Sequence, residues 1–174
     1  MQVIENVLKP SDHKLLLMQL SGEYIPWNFC YNVAYGVGDP HPGFSTPIYR
    51  DGEIENQTLW YLTKDIIKVL KPRALWRVRV GLIQHNGSQD TVHNPHIDFP
   101  GPHFTSCYYV NDSTGPTTIY NETYEEYNEP KNFTVKDTYD PKANSLIIFD
   151  GQHYHSSSSP TKPGIRLVIT FNYR

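Results

Sequence analysis

The apolar positions of this chain change period along its length. Over residues 57–70, QTLWYLTKDIIKVL, the side chains Leu59, Leu62, Ile66, Ile67 and Leu70 recur at helical spacing. That spacing predicts an amphipathic helix, which Pro72 stops. A shorter helix is predicted over 11–20, SDHKLLLMQL, with Ser11 as its N-cap and Gly22 just past its end. From residue 74 the period becomes two. ALWRVRVGLIQ (74–84) alternates, and HFTSCYYV (103–110), TTIYN (117–121), SLIIFD (145–150) and IRLVITFNY (165–173) read as further short strands between turn clusters. The polar, Tyr-rich span 122–144 reads as a loop with one strand near FTVKD. Helices first and many short strands after them predict a mainly β domain: an antiparallel jelly-roll-like barrel with the N-terminal helices packed on one face. Between the helices, residues 31–56 are rich in Gly and Pro and have little periodicity. They are expected to form a long loop or a loop plus hairpin, of the kind that covers a site in a small domain.

Composition narrows the picture. A chain of 174 residues, 38% hydrophobic and 13% aromatic, fits one globular domain with a real core. Net charge is −3 with no basic stripe, which argues against a nucleic-acid backbone as the main partner. The opening MQVIENVLKP does not read as a signal peptide, and no 18-residue apolar run occurs, so the expected location is cytoplasmic with no membrane partner. The two cysteines, Cys30 and Cys107, are too few for a disulfide framework and read as free thiols. The Asn-x-Ser/Thr triplets at Asn56, Asn86, Asn111, Asn121 and Asn132 read as compositional.

The candidate chemistry lies in the β-rich part. In NPHIDFPGPH (94–103), His96 and Asp98 are two apart, and residues i and i+2 of a strand share a face, so the pair can converge on one ion. A later strand ending IIFD runs into GQHYHSSSSP, which supplies His153 and His155. These two have the same parity, so alternation cannot separate them. Two histidines and one carboxylate form the facial triad of non-haem Fe(II) sites, which leaves coordination positions open. Zinc hydrolysis would want a nearby general base, and no dedicated Glu stands out. Arg166 sits in the apolar last strand, facing the same way as Val168 and Thr170, and a buried guanidinium there needs an anionic partner. The Tyr109 phenol, on one strand face with Thr105 and Cys107, could donate to the same anion. His93 and His103 read as loop or rim residues, Arg77 and Arg79 as a solvent face, and Ser156–Ser159 as a solvated loop. Trp27, Trp60 and Trp76 read as packing.

His96-x-Asp98, then SCYYVND, IIFDGQHYHSSSSP and Arg166 in GIRLVITFNY, together resemble the 2-oxoglutarate/Fe(II)-dependent dioxygenases. The likeness spans residues 80–174 and is nearest to the prolyl-4-hydroxylase-like branch with its small bacterial and phage members. It implies a double-stranded β-helix with iron at one mouth: a single domain, 1–174, with 1–73 as helical support and long loop and 74–174 as the β-helix core. It assigns His96, Asp98 and His155 to Fe(II), and Arg166, helped by Tyr109, to the distal carboxylate of 2-oxoglutarate. His155 rather than His153 fits the family's pattern of Phe-Asp-Gly, three residues, then His, which leaves His153 for the second shell or the substrate rim. It implies O2 as co-substrate, release of succinate and CO2, and hydroxylation of a C–H bond, with a peptidyl proline favoured and a small molecule the other substrate class. Two positions depart from the family's pattern: a single Gly115 in TGPTT where Gly-Gly often stands, and Val168 where a hydroxyl is common. The rival readings are a non-catalytic β-helix binding module and a metal-dependent hydrolase or isomerase on a similar barrel.

Overall fold

In chain order the elements are β1 (Gln2–Glu5), α1 (Pro10–Leu20), β2 (Asn28–Cys30), β3 (Gly43–Arg50), β4 (Glu53–Ile54), α2 (Gln57–Leu70), β5 (Leu75–Gln84), β6 (Phe104–Tyr109), β7 (Thr117–Thr123), β8 (Val135–Tyr139), β9 (Ser145–Asp150), β10 (His153–Ser157) and β11 (Ile165–Tyr173). The computed structural model describes residues 1–34, 41–88, 91–126 and 128–174. All sheet pairings among the described residues are antiparallel. The major sheet runs β1-β9-β6-β11-β5-β3-β2, with β4 on β3, and the minor sheet runs β10-β7-β8.

Three layers follow from which faces are apolar. α2 buries Leu59, Thr63 and Ile66, one stripe at helical spacing, and α1 buries Leu16 and Leu20. These pack with Val78, Val80, Tyr108, Leu146, Ile169 and Phe171 on one face of the major sheet. The opposite face meets the minor sheet through Cys107, Tyr109, Ile119, Ile147, Phe149 and Val168. This is the double-stranded β-helix with helices on one side that the sequence predicts. The end of α2 is built as its residues dictate. The Asn56 side chain accepts from the Leu59 N–H, and Lys71 takes a left-handed conformation (φ 49°) just before Pro72.

Several expectations need correction. The first helix is capped at Lys9 with Pro10 in its first turn, not at Ser11, whose hydroxyl donates to Asp12. Its C-terminal end is as expected, with Ser21 as the cap and Gly22 just past it. Of the two forms expected for 31–56, the loop plus hairpin is the one found, and what the expectation lacks is the place of its first strand in the major sheet. β3 lies within it and pairs with β5 inside the major sheet, while β4 completes a hairpin with β3. Residues 1–73 therefore supply strands to the barrel as well as helices. Residues 35–40, where a covering loop is expected, lie outside the described residues. Ser156–Ser159 are not a solvated loop: β10 continues through Ser157, and Ser156, Ser158 and Ser159 are buried. Trp27 and Trp60 do pack against the helical core, with Trp60 stacked on Tyr49. Among the described residues no helix is long and apolar enough to cross a membrane.

Candidate metal and co-substrate site

The stretch that holds His96 pairs with β10 through its backbone. The His96 N–H donates to the His155 carbonyl (3.0 Å) and the His155 N–H to the His96 carbonyl (2.9 Å), a local antiparallel bridge. The two imidazoles are thereby set side by side, with ring centroids 4.6 Å apart and planes tilted by 52°. Asp98, two residues on, joins them: ligand atoms of His96, Asp98 and His155 all lie within 4.8 Å of one another.

The tautomers suit a metal. Nδ1 of His96 lies 3.0 Å from the Asn94 carbonyl, and Nδ1 of His155 lies 3.3 Å from the His153 carbonyl. A carbonyl only accepts, so each Nδ1 carries the proton and each Nε2 keeps a lone pair for the site. Protonation states suit it as well. Burial, then the neighbouring His96, push His155 down to about 4 against the pull of Asp98. Burial likewise lowers His96. Burial alone would raise the Asp98 carboxyl, but His155, Arg77, Arg79 and His96 outweigh it and hold it well below the usual carboxylate range. Two neutral imidazoles and one carboxylate are the forms that bind a divalent ion without releasing protons.

The same shifts fix how the metal-free protein responds to acid. His155 and His96 have folded pKa values below the ordinary 6.5, so the unfolded chain takes up their protons first as pH falls. Their contribution is complete above pH 6.5 and declines as pH drops towards 4, each unit of separation counting about 1.4 kcal/mol. The Asp98 contribution is present above its ordinary 3.8 and is lost only below that. Urea unfolding of chelator-treated protein should show a midpoint that falls between pH 6.5 and 4, with a shallower fall in His155→Ala. A midpoint with the same slope in both proteins would remove His155 as the cause.

Asp98, His96 and His155 open into a cavity of about 80 Å³ between the two sheets, with Arg166 among its lining residues. Arg166 is 2% exposed. Its Nε donates to the Gly115 carbonyl (2.9 Å), its Nη2 donates to Thr117 Oγ1 (2.7 Å), and it lies over the Tyr109 ring (5.6 Å). Among the described residues no carboxylate pairs with it. A buried guanidinium whose partners here are a carbonyl and a hydroxyl keeps its full positive charge beside the cavity, a setting that favours an anion. Tyr109 is fully buried and donates to Thr117 (2.7 Å), so it reaches the guanidinium's neighbour rather than the open cavity. Gly81, Ile83, Cys107 and Val168 supply a largely apolar wall between the two ends.

Strand parity does not keep His153 beside His155, because the β10–β7 register shifts between them. The His153 side chain turns to another cavity, with its Nε2 2.8 Å from Lys136 Nζ. Its part near the site is its carbonyl, which orients His155. His93 and His103 are buried, not rim residues. His93 engages Ser157 (2.7 Å) and the buried Ser159 (3.0 Å). His103 sits 3.3 Å from Thr105 and packs against Trp76 and Phe99. Arg77 and Arg79 are not a solvent face either: Arg77 Nη2 lies 2.5 Å and Arg79 Nη2 4.0 Å from Asp98 Oδ1. Sequence reasoning also passed over Thr117 and Asn172. A polar Asn amid the apolar residues of IRLVITFNY was the available signal.

No protein-family model and no curated protein matches the sequence. Solved structures do. A non-heme alpha-ketoglutarate-dependent epimerase, SnoN from nogalamycin biosynthesis, aligns over 98% of this chain and 76% of its own at 15% identity, with a TM-score of 0.68. A prolyl hydroxylase from Trichoplax adhaerens, solved with a peptide of hypoxia inducible factor, aligns over 99% and 82% at 17% identity, TM-score 0.65. HygX from Streptomyces hygroscopicus, solved with nickel, 2-oxoglutarate and hygromycin B, aligns over 98% and 81% at 12% identity, TM-score 0.64. The fold is that of the 2-oxoglutarate/Fe(II) oxygenases, prolyl hydroxylases included.

Proposed function

We propose that the protein is a 2-oxoglutarate- and Fe(II)-dependent oxygenase in which His96, Asp98 and His155 hold the iron and Arg166 holds the distal carboxylate of 2-oxoglutarate. The observation that carries this reading is the convergence of one ring nitrogen from each of two histidines and one carboxylate oxygen within 4.8 Å, in one cavity with a buried arginine that pairs with no carboxylate among the described residues. The donor set fits Fe(II): two borderline nitrogens and one hard oxygen, with room beside them for further ligands. When bound, Fe(II) with 2-oxoglutarate and O2 supplies oxidation of a C–H bond, 2-oxoglutarate leaving as succinate and CO2.

The chain's own residues do the rest. His96 and His155 present neutral nitrogens in a fixed tautomer. Asp98 remains anionic and neutralises half of a divalent charge. Arg166 anchors a diacid at the far end of the cavity, with Thr117 accepting from one arm of its fork so that the guanidinium keeps one orientation. Tyr109 holds Thr117 in turn. Gly81 leaves the floor of β5 open between Arg79 and Ile83, where a larger side chain would project into the cavity. The apolar wall excludes water from the reacting centre. Hydroxylation of a peptidyl proline is the reaction to assay first, on the strength of the peptide-bound prolyl hydroxylase among the structural neighbours. The epimerase SnoN and the hygromycin-bound HygX among the structural neighbours make small molecules the second panel.

Anaerobic titration with Fe(II) and 2-oxoglutarate should develop a weak visible charge-transfer band, and admitting O2 should discharge it with formation of succinate. A protein that binds the metal but never forms the band or succinate would be a binding module. One that works without 2-oxoglutarate would be a metal-dependent hydrolase or isomerase.

A further inference from the structure

Asp98 is held by more than its place in the chain. Arg77 on β5, Asn172 on β11 and Thr105 on β6 are direct cross-strand neighbours: Asn172 pairs in register with Arg77 on one side and with Thr105 on the other. Side chains opposite one another on adjacent strands share a face, so these three form one polar rung across the major sheet. All three converge on Asp98. Arg77 Nη2 donates to Oδ1 (2.5 Å), while Asn172 Nδ2 (2.8 Å) and Thr105 Oγ1 (3.3 Å) donate to Oδ2. The rung is also tied to itself: Arg77 Nε donates to Asn172 Oδ1 (3.0 Å), and Asn172 Nδ2 reaches Thr105 Oγ1 (3.1 Å). The Phe99 ring lies against the Arg77 guanidinium, 4.8 Å from its carbon. The carboxylate side chain is 1% exposed, so these groups replace water as its hydrogen-bond donors.

Resting on the metal-site reading above, we infer that Arg77 is a positioning residue for the Asp98 ligand: it ties down Oδ1 so that Oδ2 is turned towards His155 Nε2, 3.7 Å away. A guanidinium on the far oxygen of a metal-binding carboxylate can act in two opposed ways. As a plain positive charge it repels a divalent ion, and its removal tightens metal binding. As an orienting clamp it fixes the ligand, and its removal weakens binding. Five restraints on one small rung, with both arms of the Arg77 fork in use, favour the clamp.

The experiment is Co(II) titration of metal-free wild type, Arg77→Met, Arg77→Lys and His96→Ala, followed by the ligand-field absorption of Co(II), with thermal unfolding of each metal-free protein alongside. Loss of the clamp should weaken Co(II) binding by about 10- to 100-fold in Arg77→Met and alter the absorption band. Arg77→Lys keeps the charge but not the fork, so it should recover only part of the affinity. If Arg77→Met does not fold, the lysine variant carries the test, since a lone charge would bind as wild type does and a clamp would not. Unchanged or tighter binding with a native spectrum in Arg77→Met, or full recovery in Arg77→Lys, overturns the inference. A wild type that binds no Co(II), or His96→Ala that binds as well as wild type, instead overturns the metal-site reading itself.

Discussion

His155→Ala is expected to lose both metal binding and 2-oxoglutarate turnover, whereas His153→Ala, two residues away, keeps both. The contrast rests on the register shift in β10, which turns the His153 ring out to Lys136 while His155 Nε2 faces Asp98. Alanine at 155 removes one of three ligands. It also removes the ring that shares a wall with His96 and Phe149, so the remaining pair cannot hold an ion at working concentrations. Alanine at 153 leaves the backbone carbonyl that orients His155 in place. Its cost is a partly exposed contact with a lysine, which lies within the few tenths of a kcal/mol typical of surface changes. Equilibrium dialysis with Fe(II) under argon and a succinate assay on both variants settle the matter. Metal loss in His153→Ala with retention in His155→Ala would move the ligand and with it the registry of the whole GQHYHSSSSP segment.

The second large effect belongs to Arg166. Arg166→Leu should raise the 2-oxoglutarate concentration needed for turnover by about 30-fold or more, the equivalent of at least 2 kcal/mol for a buried carboxylate deprived of its charged partner. Fe(II) binding by the same variant should be near native, because Arg166 does not contact the three ligands. Tyr109→Phe acts one step removed, through the hydroxyl of Thr117, and should cost about 1 kcal/mol for one lost hydrogen bond. Co-substrate affinity that ignores Arg166→Leu would make the arginine a structural brace for Gly115 and Thr117 and would leave the diacid subsite without its cation.

Where one periodicity governs a segment, the sequence reading and the structure coincide. α2, β9 and β11 span the residues their apolar pattern marks, 57–70, 145–150 and 165–173. Within 31–56 the sequence leaves a loop and a loop plus hairpin both open because Gly43 and Pro47 look like loop residues; the structure takes the hairpin, and the pairing of β3 with β5 is the part the pattern does not show. The strand tolerates the proline at a point where the pairing with β5 shifts register between Pro47 and Tyr49. β10 escaped because its residues are polar. It is stabilised by cross-strand partners such as Tyr120, which bonds Ser156, and by His93, none of which local composition reveals. The site divides the same way. His96, Asp98, His155 and Arg166 could be named because spacing and strand alternation suffice for them. Arg77, Asn172, Thr105 and Thr117 could not, because only the register between strands distant in sequence brings them to the same carboxylate or guanidinium. Arg77 and Arg79 were misread for that reason: alternation places them on one face, but it does not say that the face looks inward.

The backbone bridge between His96 and His155 has a consequence for metal choice. Two of the three proposed donors sit on segments joined by main-chain hydrogen bonds. With those two donors joined by the sheet itself, folding would contribute little to discrimination among ions. A preassembled nitrogen-and-oxygen pocket ranks first-row ions by their intrinsic preference, in which nickel and copper outrank ferrous iron. Under the proposed function, supply would govern which ion occupies the pocket, and iron starvation or a rise in a competing divalent metal would silence the protein while leaving it folded.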